Sequence, residues 1–423
     1  MHFVASGLCV AFGLIAGTGD YRRDMHLFNG AQGGGRRITF CVLSWLFLTL
    51  LVPGPGQGAV AQAQPENSPL LANVRGDIWA WPGAGATLQQ RTNWGYNKNP
   101  ILSPDGRLIA YKSTATIAVD ALKRVGFIGG GDYPANIWVL DVTTNDAVRV
   151  ADQPTGASFQ MQTVPDKYIV RSDPEWSPDG KSLAWSELLV EPSSNAEDPH
   201  QIVIYNLAQK TWQVLTLDIP AQYGVPGALR IAWGNPGIAL WSIAAIDDPK
   251  KGLSGEDSIL VYDTGGKLLS STVIERLSEF AWIRERDKDY IGVLSLGPAD
   301  GTGDPQWILV DPATGRITGM PGLPELYSLA APDGLSLVPT TLGTSPEWAI
   351  ADKGKPLSKL GSVDDVYVFS PMLAISPDGK QLAYVKQGAL YVYSEEKVTK
   401  VSASDVGGLA WGPTGWRVRH GMN

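Results

Sequence analysis

The residues able to do chemistry are few and scattered. Downstream of residue 63 the only histidines are His200 and His420, too few to build a zinc site of usual ligand number without several carboxylates. Asp247 and Asp248 are adjacent acids of the kind that serves general acid–base work, but such a pair in a loop ordinarily faces solvent. Asp300-Gly301-Thr302-Gly303-Asp304 spaces oxygen ligands as a calcium loop does, and reads more simply as a polar turn. Gly129-Gly130-Gly131 lacks the Lys-Ser/Thr that follows a phosphate loop, and no Gly-x-Ser-x-Gly elbow occurs. No catalytic residue, metal or cofactor is therefore expected.

The elements that must position any site are short strands. The 423 residues include Trp 15, Gly 48 and Pro 30, with no long helical pattern. The formal charge is −8, and residues 1–63 carry four arginines against two aspartates, so the remainder is more acidic still. An acidic body lacks the basic surface that displaces counterions, which argues against nucleic acid as a partner. Both cysteines, Cys9 and Cys41, precede residue 64, so disulfide staples and thiolate chemistry are excluded downstream.

Arg36-Arg37 precede an apolar stretch from Ile38 to Val52, followed by Pro53-Gly54-Pro55-Gly56 and then Ala59-Val60-Ala61 and Ala61-Gln62-Ala63. A basic flank, a short apolar run and an Ala-x-Ala site describe a secretory signal peptide cleaved after Ala61 or Ala63. The run is shorter than the roughly 20 residues of a membrane span, so no stable span is expected after cleavage. The paired arginines resemble a twin-arginine signal, but Thr39 stands where that motif has a large apolar residue, so the general secretory route is expected. Residues 1–24 read as an upstream extension of a chain starting at Met25; the alternative is an uncleaved anchor over residues 3–17. The expected layout is a leader over 1–63, containing a signal peptide over 25–63, then a linker over 64–75 and one body over 76–420. The expected location is extracytoplasmic, periplasmic or secreted.

That body is built from repeats. Ile101-Leu102-Ser103-Pro104-Asp105-Gly106-Arg107-Leu108-Ile109-Ala110-Tyr111 returns as Glu175 to Trp185 and as Ala374 to Tyr384. Weaker copies begin at Ala232, Ala331 and Ala410, and one at Ala281-Trp282 has the charged run Arg284 to Asp289 in place of the turn. In Ser-Pro-Asp-Gly, proline presets φ, aspartate bonds its own backbone and glycine takes the left-handed position, which makes a hairpin turn. A second hairpin follows each copy, as at Ile137-Trp138-Val139-Leu140-Asp141, Ile202 to Asn206 and Ile259 to Asp263. Trp-Ser-Pro-Asp-Gly followed by Leu-Ala-Trp and an Ile-Trp-Val-Leu-Asp strand resembles the repeat of the TolB-like, WD40-like (PD40) β-propeller family, which prolyl oligopeptidase propellers share. The resemblance covers residues 76–420 and implies an all-β propeller of four-stranded blades.

The chain opens on a second-hairpin pattern alone, Asp77 to Trp81, and ends on a first-hairpin pattern alone, Leu409 to Arg419. Joining them gives seven blades closed by both termini and removes exposed sheet edges; the resemblance to TolB implies six as the alternative. The repeat tryptophans Trp138, Trp176, Trp185, Trp233, Trp282 and Trp411 read as core between blades. The long insertions, Ser113 to Asn136, Glu187 to His200, Ala244 to Ser258 and Gly297 to Gln306, fall between hairpins, and Ala151 to Asp173 and Asp218 to Leu229 fall between blades. All six then rise from one face, where recognition usually resides. Tyr133, Phe159, Tyr168 and Tyr223 offer aromatic contacts there, and Glu191, Asp247 and Asp248 polar ones. The bland alternative is that these loops pack on one another. The function expected is a monomeric, non-enzymatic interaction module that binds a protein or peptide, the alternatives being a propeller lyase or hydrolase and a glycan or small-ligand receptor.

Overall fold

In the computed structural model the Ser-Pro-Asp-Gly repeats at 103–106 and 177–180 form the hairpin turns that their chemistry implies. Gly106 has φ 74° and Gly180 φ 70°, in the left-handed region where a Cβ is strained. Ser103 ties its two strands together twice. Its amide donates to the Leu108 carbonyl at 2.7 Å, and its hydroxyl accepts from the Leu108 amide at 2.9 Å. Ser177 with Ser182, and Ser376 with Gln381, repeat both contacts. Asp105 and Asp179 each accept from the motif serine and from the amide two residues on.

The structure describes residues 69–125, 133–159, 166–191, 200–219, 228–248, 252–285, 288–297, 306–319, 329–330, 335–341, 347–352, 355–361, 373–376, 380–402 and 405–411. The leader read over 1–63 lies outside them. Among the described residues the strands form seven antiparallel sheets, six of four strands and one of five.

Sheet I holds Asn97–Leu102, Leu108–Thr114, Ala135–Asp141 and Ala147–Ala151 in that order. Sheet II holds Glu175–Trp176, Ser182–Val190, Gln201–Asn206 and Thr211–Thr216, and Tyr168–Arg171 pairs with the far half of its long strand. Sheet III holds Ile231–Gly234, Gly237–Asp248, Gly252–Tyr262 and Leu268–Val273. Sheet IV holds Leu277–Glu285, Lys288–Ser295, Gln306–Val310 and Ile317–Gly319. Leu329–Ala330, Leu335–Thr341, Glu347–Asp352 and Lys355–Gly361 make sheet V. Sheet VI consists of Leu373–Ile375, Leu382–Lys386, Ala389–Ser394 and Lys397–Lys400. In sheet VII Val406–Trp411 pairs with Leu70–Val74, which continues to Asp77–Trp81 and Gln89–Gln90.

The first strands lie side by side: Val406–Trp411 beside Asn97–Leu102, Glu175–Trp176 beside Ile231–Gly234, and Ile231–Gly234 beside Leu277–Glu285. Repeated four-stranded meanders packed in this way are the blades of a β-propeller. The cores lie between sheets, as expected of the tryptophans. Trp176 and Trp185 are buried among Ile101, Ile137 and Val139 of the preceding sheet. Trp176 Nε1 donates to the Ile101 carbonyl at 3.3 Å, and Trp282 Nε1 makes the same reach back to Ala232 at 2.9 Å. Gly234 stands where the motif has serine because a Cβ there would lie 2.3 Å from the Trp282 ring.

Three segments differ from the sequence reading. Leu70–Val74, inside the expected linker 64–75, is a strand, because Arg75 (φ 54°) and Gly76 (φ 76°) make a tight turn that folds it onto Asp77–Trp81. Among the described residues sheet VII therefore takes three strands from the N-terminal end and one from the C-terminal end. The charged run Arg284 to Asp289 is itself a hairpin, with Arg284 opposite Asp289 and Glu285 opposite Lys288. The insertion from Ser113 to Asn136 contains a helix, Thr116–Val125 (α1). Among the described residues no helix is long and apolar enough to cross a membrane.

Candidate functional site

In a four-stranded meander the second turn and the exit to the next sheet leave from the same end. The long connections of sheets I to III all belong to that end, and the structure turns two of them into defined elements.

The first is α1 with its support. Ala118, Val119 and Ala121 are buried, while Thr116, Asp120, Lys123 and Arg124 face outward. The basic pair sits in the last turn, where it complements the helix dipole. Ala118 and Ala121 pack on Phe159, and Tyr133 and Tyr168 close the cluster. Phe159 meets Tyr133 edge-on at 6.2 Å and Tyr168 edge-on at 5.0 Å. Three of the aromatic residues singled out in the sequence thus come together as a small core under the helix. Phe159 is only 5% exposed and offers no surface to a ligand, whereas Tyr133 and Tyr168 stay half-buried. Burial, aided by Asp166, raises the Tyr168 hydroxyl pKa above its usual value. Glu191 flanks the cluster in an ion pair with Lys167 at 3.1 Å. Tyr223 lies outside the described residues.

Beneath this cap is a buried arginine. Arg171 Nε contacts Glu187 Oε2 at 2.9 Å, and its other nitrogens donate to the carbonyls of Ala135 at 2.7 Å and Asp152 at 2.8 Å. Glu187 also accepts from Trp185 Nε1 at 3.1 Å. Gln153 repeats the tie, donating to Ala135 and Ile169 and accepting from the Ile169 amide. Sheets I and II are locked here by polar bonds that an apolar core could not orient. Sequence reading missed Arg171 and Gln153, both inside a segment taken as connection. The alternation in Tyr168-Ile169-Val170-Arg171 was the available signal of a strand.

The second element is a β-ribbon. Ala244 to Ser258, taken from the sequence as a loop, continues the two central strands of sheet III out to Asp248 opposite Gly252. Asp247, opposite Leu253, is exposed on it near Ile246, and Asp248 occupies the last strand position before the tip. The ribbon sets these acids apart from the aromatic cluster, so the candidate residues divide between two elements.

At the junction of sheets III and IV lies a charged cluster. Arg230, at the entry to sheet III, pairs with Glu279 of sheet IV at 2.6 Å and lies over the rings of Trp241 at 5.1 Å and Phe280 at 5.8 Å. Asp257 accepts from Trp241 Nε1 and from the Leu277 amide, each at 2.9 Å, and burial raises its pKa. Burial pushes Glu279 up to about 7 against the pull of Arg230. Its side chain is 5% exposed with one oxygen held by Arg230, the geometry of a structural pair rather than an acid open to substrate.

The raised value has a measurable consequence. Between the usual 4.5 and about 7 the folded chain keeps a proton that the unfolded chain has released. The stability this confers is complete below the lower value and is lost as pH rises through the upper one. The difference in unfolding free energy between wild type and Glu279→Gln is therefore expected to fall by about 3 kcal/mol across that window. Denaturant titrations at stepped pH read it, and a flat difference would contradict the assignment.

Among the described residues no group of three or more His, Cys, Asp or Glu could hold a metal ion. His200 is buried, and desolvation lowers its pKa, which keeps it neutral at pH 7. His420, Gly129-Gly130-Gly131 and the turn Asp300 to Asp304 lie outside the described residues.

No family model and no curated protein matches the chain. The resemblance to TolB-like repeats therefore rests on the motif residues alone. Solved structures do resemble it. One is the β-propeller domain of the trilobed protease from Pyrococcus furiosus, 15% identical, TM-score 0.40, covering 73% of this chain and 85% of that one. Another is the Pyrococcus horikoshii acylaminoacyl peptidase in an orthorhombic crystal form, 14% identical, TM-score 0.44, covering 73% of this chain and 46% of that one. A third is KlAtg21 in complex with the coiled-coil of AgAtg16, 13% identical, TM-score 0.37, covering 71% and 81%. This chain thus spans under half of the peptidase. At these identities no activity or family follows; the propeller fold rests on the sheets and their packing.

Proposed function

We propose that this chain is an exported seven-bladed propeller, closed by pairing its two ends, that binds a protein or peptide through its long-connection face without catalysis. The observation that carries the reading is that the long connections of sheets I and III are built structure: a helix seated on its own aromatic core and a ribbon continuing two central strands. Elements already ordered before a partner arrives spare the entropy of ordering them on contact, which is what a rigid recognition surface requires. Closure is supported by the pairing of Val406–Trp411 with Leu70–Val74, and by the packing of Trp411 edge-on to Trp81 at 6.2 Å. Export is supported by Arg36-Arg37, the apolar run after them and the Ala-x-Ala sites.

The test is affinity capture with the purified protein from the envelope and culture fluid of its source. A matched variant has the ribbon from Ala244 to Ser258 cut back to a short turn. A protein retained by the wild type and lost by the folded variant is the expected result. The same proteins on both forms, or none on either, would contradict binding through this face. Recovery of the native chain from cytosol alone would contradict export.

A further inference from the structure

The outer strand of sheet II differs from the outer strands of its neighbours. Among the described residues Thr211–Thr216 pairs on one side only, with Gln201–Asn206. It reads Thr-Trp-Gln-Val-Leu-Thr, without charge, proline or glycine, and every residue but Leu215 is exposed. Trp212 is 58% and Val214 51% exposed. Exposed edges of this kind invite pairing with another strand, and proteins usually guard them with lysine, proline or short length. Five of the other six sheets follow that rule: Arg149 in sheet I, Lys359 in sheet V, Lys397 and Lys400 in sheet VI, and short length in sheet IV (Ile317–Gly319) and sheet VII (Gln89–Gln90). Sheet III's outer strand is also uncharged, but a register shift between Val261 and Tyr262 interrupts its pairing, a bulge of the kind that guards an edge, whereas Thr211–Thr216 pairs without a break.

The Thr211–Thr216 edge is also held rigid. Trp212 Nε1 donates to the Val150 carbonyl of sheet I at 3.3 Å, and Gln213 Nε2 to the Thr264 carbonyl of sheet III at 2.9 Å. An edge fixed from both flanks loses little conformational freedom when a further strand is added.

Charge placement selects the occupant. Exposed Lys210 precedes the strand and exposed Asp218 follows it. Two copies related by a two-fold axis normal to the sheet pair antiparallel, with like faces aligned. Centred on Val214, that arrangement sets Trp212 against Thr216 of the second copy at both ends, and brings Lys210, in the turn just before the strand, towards Asp218, just past its end, in the second copy. Centring on Gln213 instead sets Lys210 against Thr216 and leaves both charges unmatched. The geometry points to a homodimer in which the Thr211–Thr216 edges of two copies join sheets II into one continuous sheet, with Val214 on the axis. This departs from the monomer expected of the sequence and does not depend on the binding face proposed above.

An edge-to-edge contact of this size is small, so association in the micromolar range is expected. Sedimentation velocity of the purified protein from about 1 to about 100 μM spans that range and is expected to show a concentration-dependent dimer. Val214→Lys places two like charges on the axis and is expected to weaken association at least about tenfold. Lys210→Glu alone sets like charges opposite each other and is expected to weaken it. Combining Lys210→Glu with Asp218→Lys is expected to restore it. All these positions are exposed, so unchanged thermal unfolding of each diluted variant confirms that the fold is intact. A monomer throughout the range, a dimer indifferent to Val214→Lys, or a charge swap that fails to restore association overturns the proposal.

Discussion

Replacing Arg171 with methionine is expected to destabilise the protein by about 3–5 kcal/mol, the usual cost of removing one partner from a buried ion pair. Its side chain is 4% exposed and that of Glu187 16%. Methionine fills similar volume, so the loss is electrostatic rather than a cavity. Among the described residues the Glu187 carboxylate would keep only Trp185 Nε1, while the carbonyls of Ala135 and Asp152 would each lose a charged donor. Because Arg171 joins sheets I and II, the deficit falls on the inter-blade lock beneath α1. Adding Glu187→Gln removes the stranded charge and is expected to recover part of the stability. Equilibrium unfolding of the single and double variants reads both effects. A single variant within about 1 kcal/mol of wild type would mean that water, not Arg171, satisfies these groups in solution.

The blades were legible because their turns are chemical necessities. Ser-Pro-Asp-Gly needs a preset φ, an aspartate that bonds its own backbone and a left-handed glycine, and Gly106 and Gly180 adopt the required conformation. The tryptophans were legible for the same reason, as large apolar residues at fixed offsets from those turns. What was missed lacks such punctuation. Leu70–Val74 looked like linker because its turn, Arg75-Gly76, carries no proline or aspartate. The ribbon looked like loop because Asp247-Asp248 and the charged residues after them mask two continuing strands. The helix had its own pattern in Ile117, Ala118, Ala121, Leu122 and Val125, but ten residues are easily overlooked in an otherwise all-β chain.

The candidate residues show the limit more sharply. Tyr133, Phe159 and Tyr168 were chosen as exposed loop aromatics, and their clustering followed from lying on the same face. That Phe159 would be the buried centre of the cluster depends on α1 covering it, a tertiary fact with no local signature. The pairing of Arg230 with Glu279 is hidden likewise, since it joins residues from different blades.

The proposed propeller is a closed ring only if Val406–Trp411 pairs with Leu70–Val74, because that pairing completes sheet VII. The direct measurement is a disulfide across the pairing, with Cys9 and Cys41 replaced by serine. Two double variants are needed, Ala72→Cys with Leu409→Cys and Leu71→Cys with Ala410→Cys. Alternate antiparallel pairs bring their Cβ atoms closer, so one of the two has the better geometry. Mass spectrometry of the oxidised monomer is expected to find an intramolecular link in at least one variant. That link, closing about 340 residues, is expected to raise stability over the reduced form by up to about 5 kcal/mol. Folded variants that form no link, or link only between molecules, would contradict the ring.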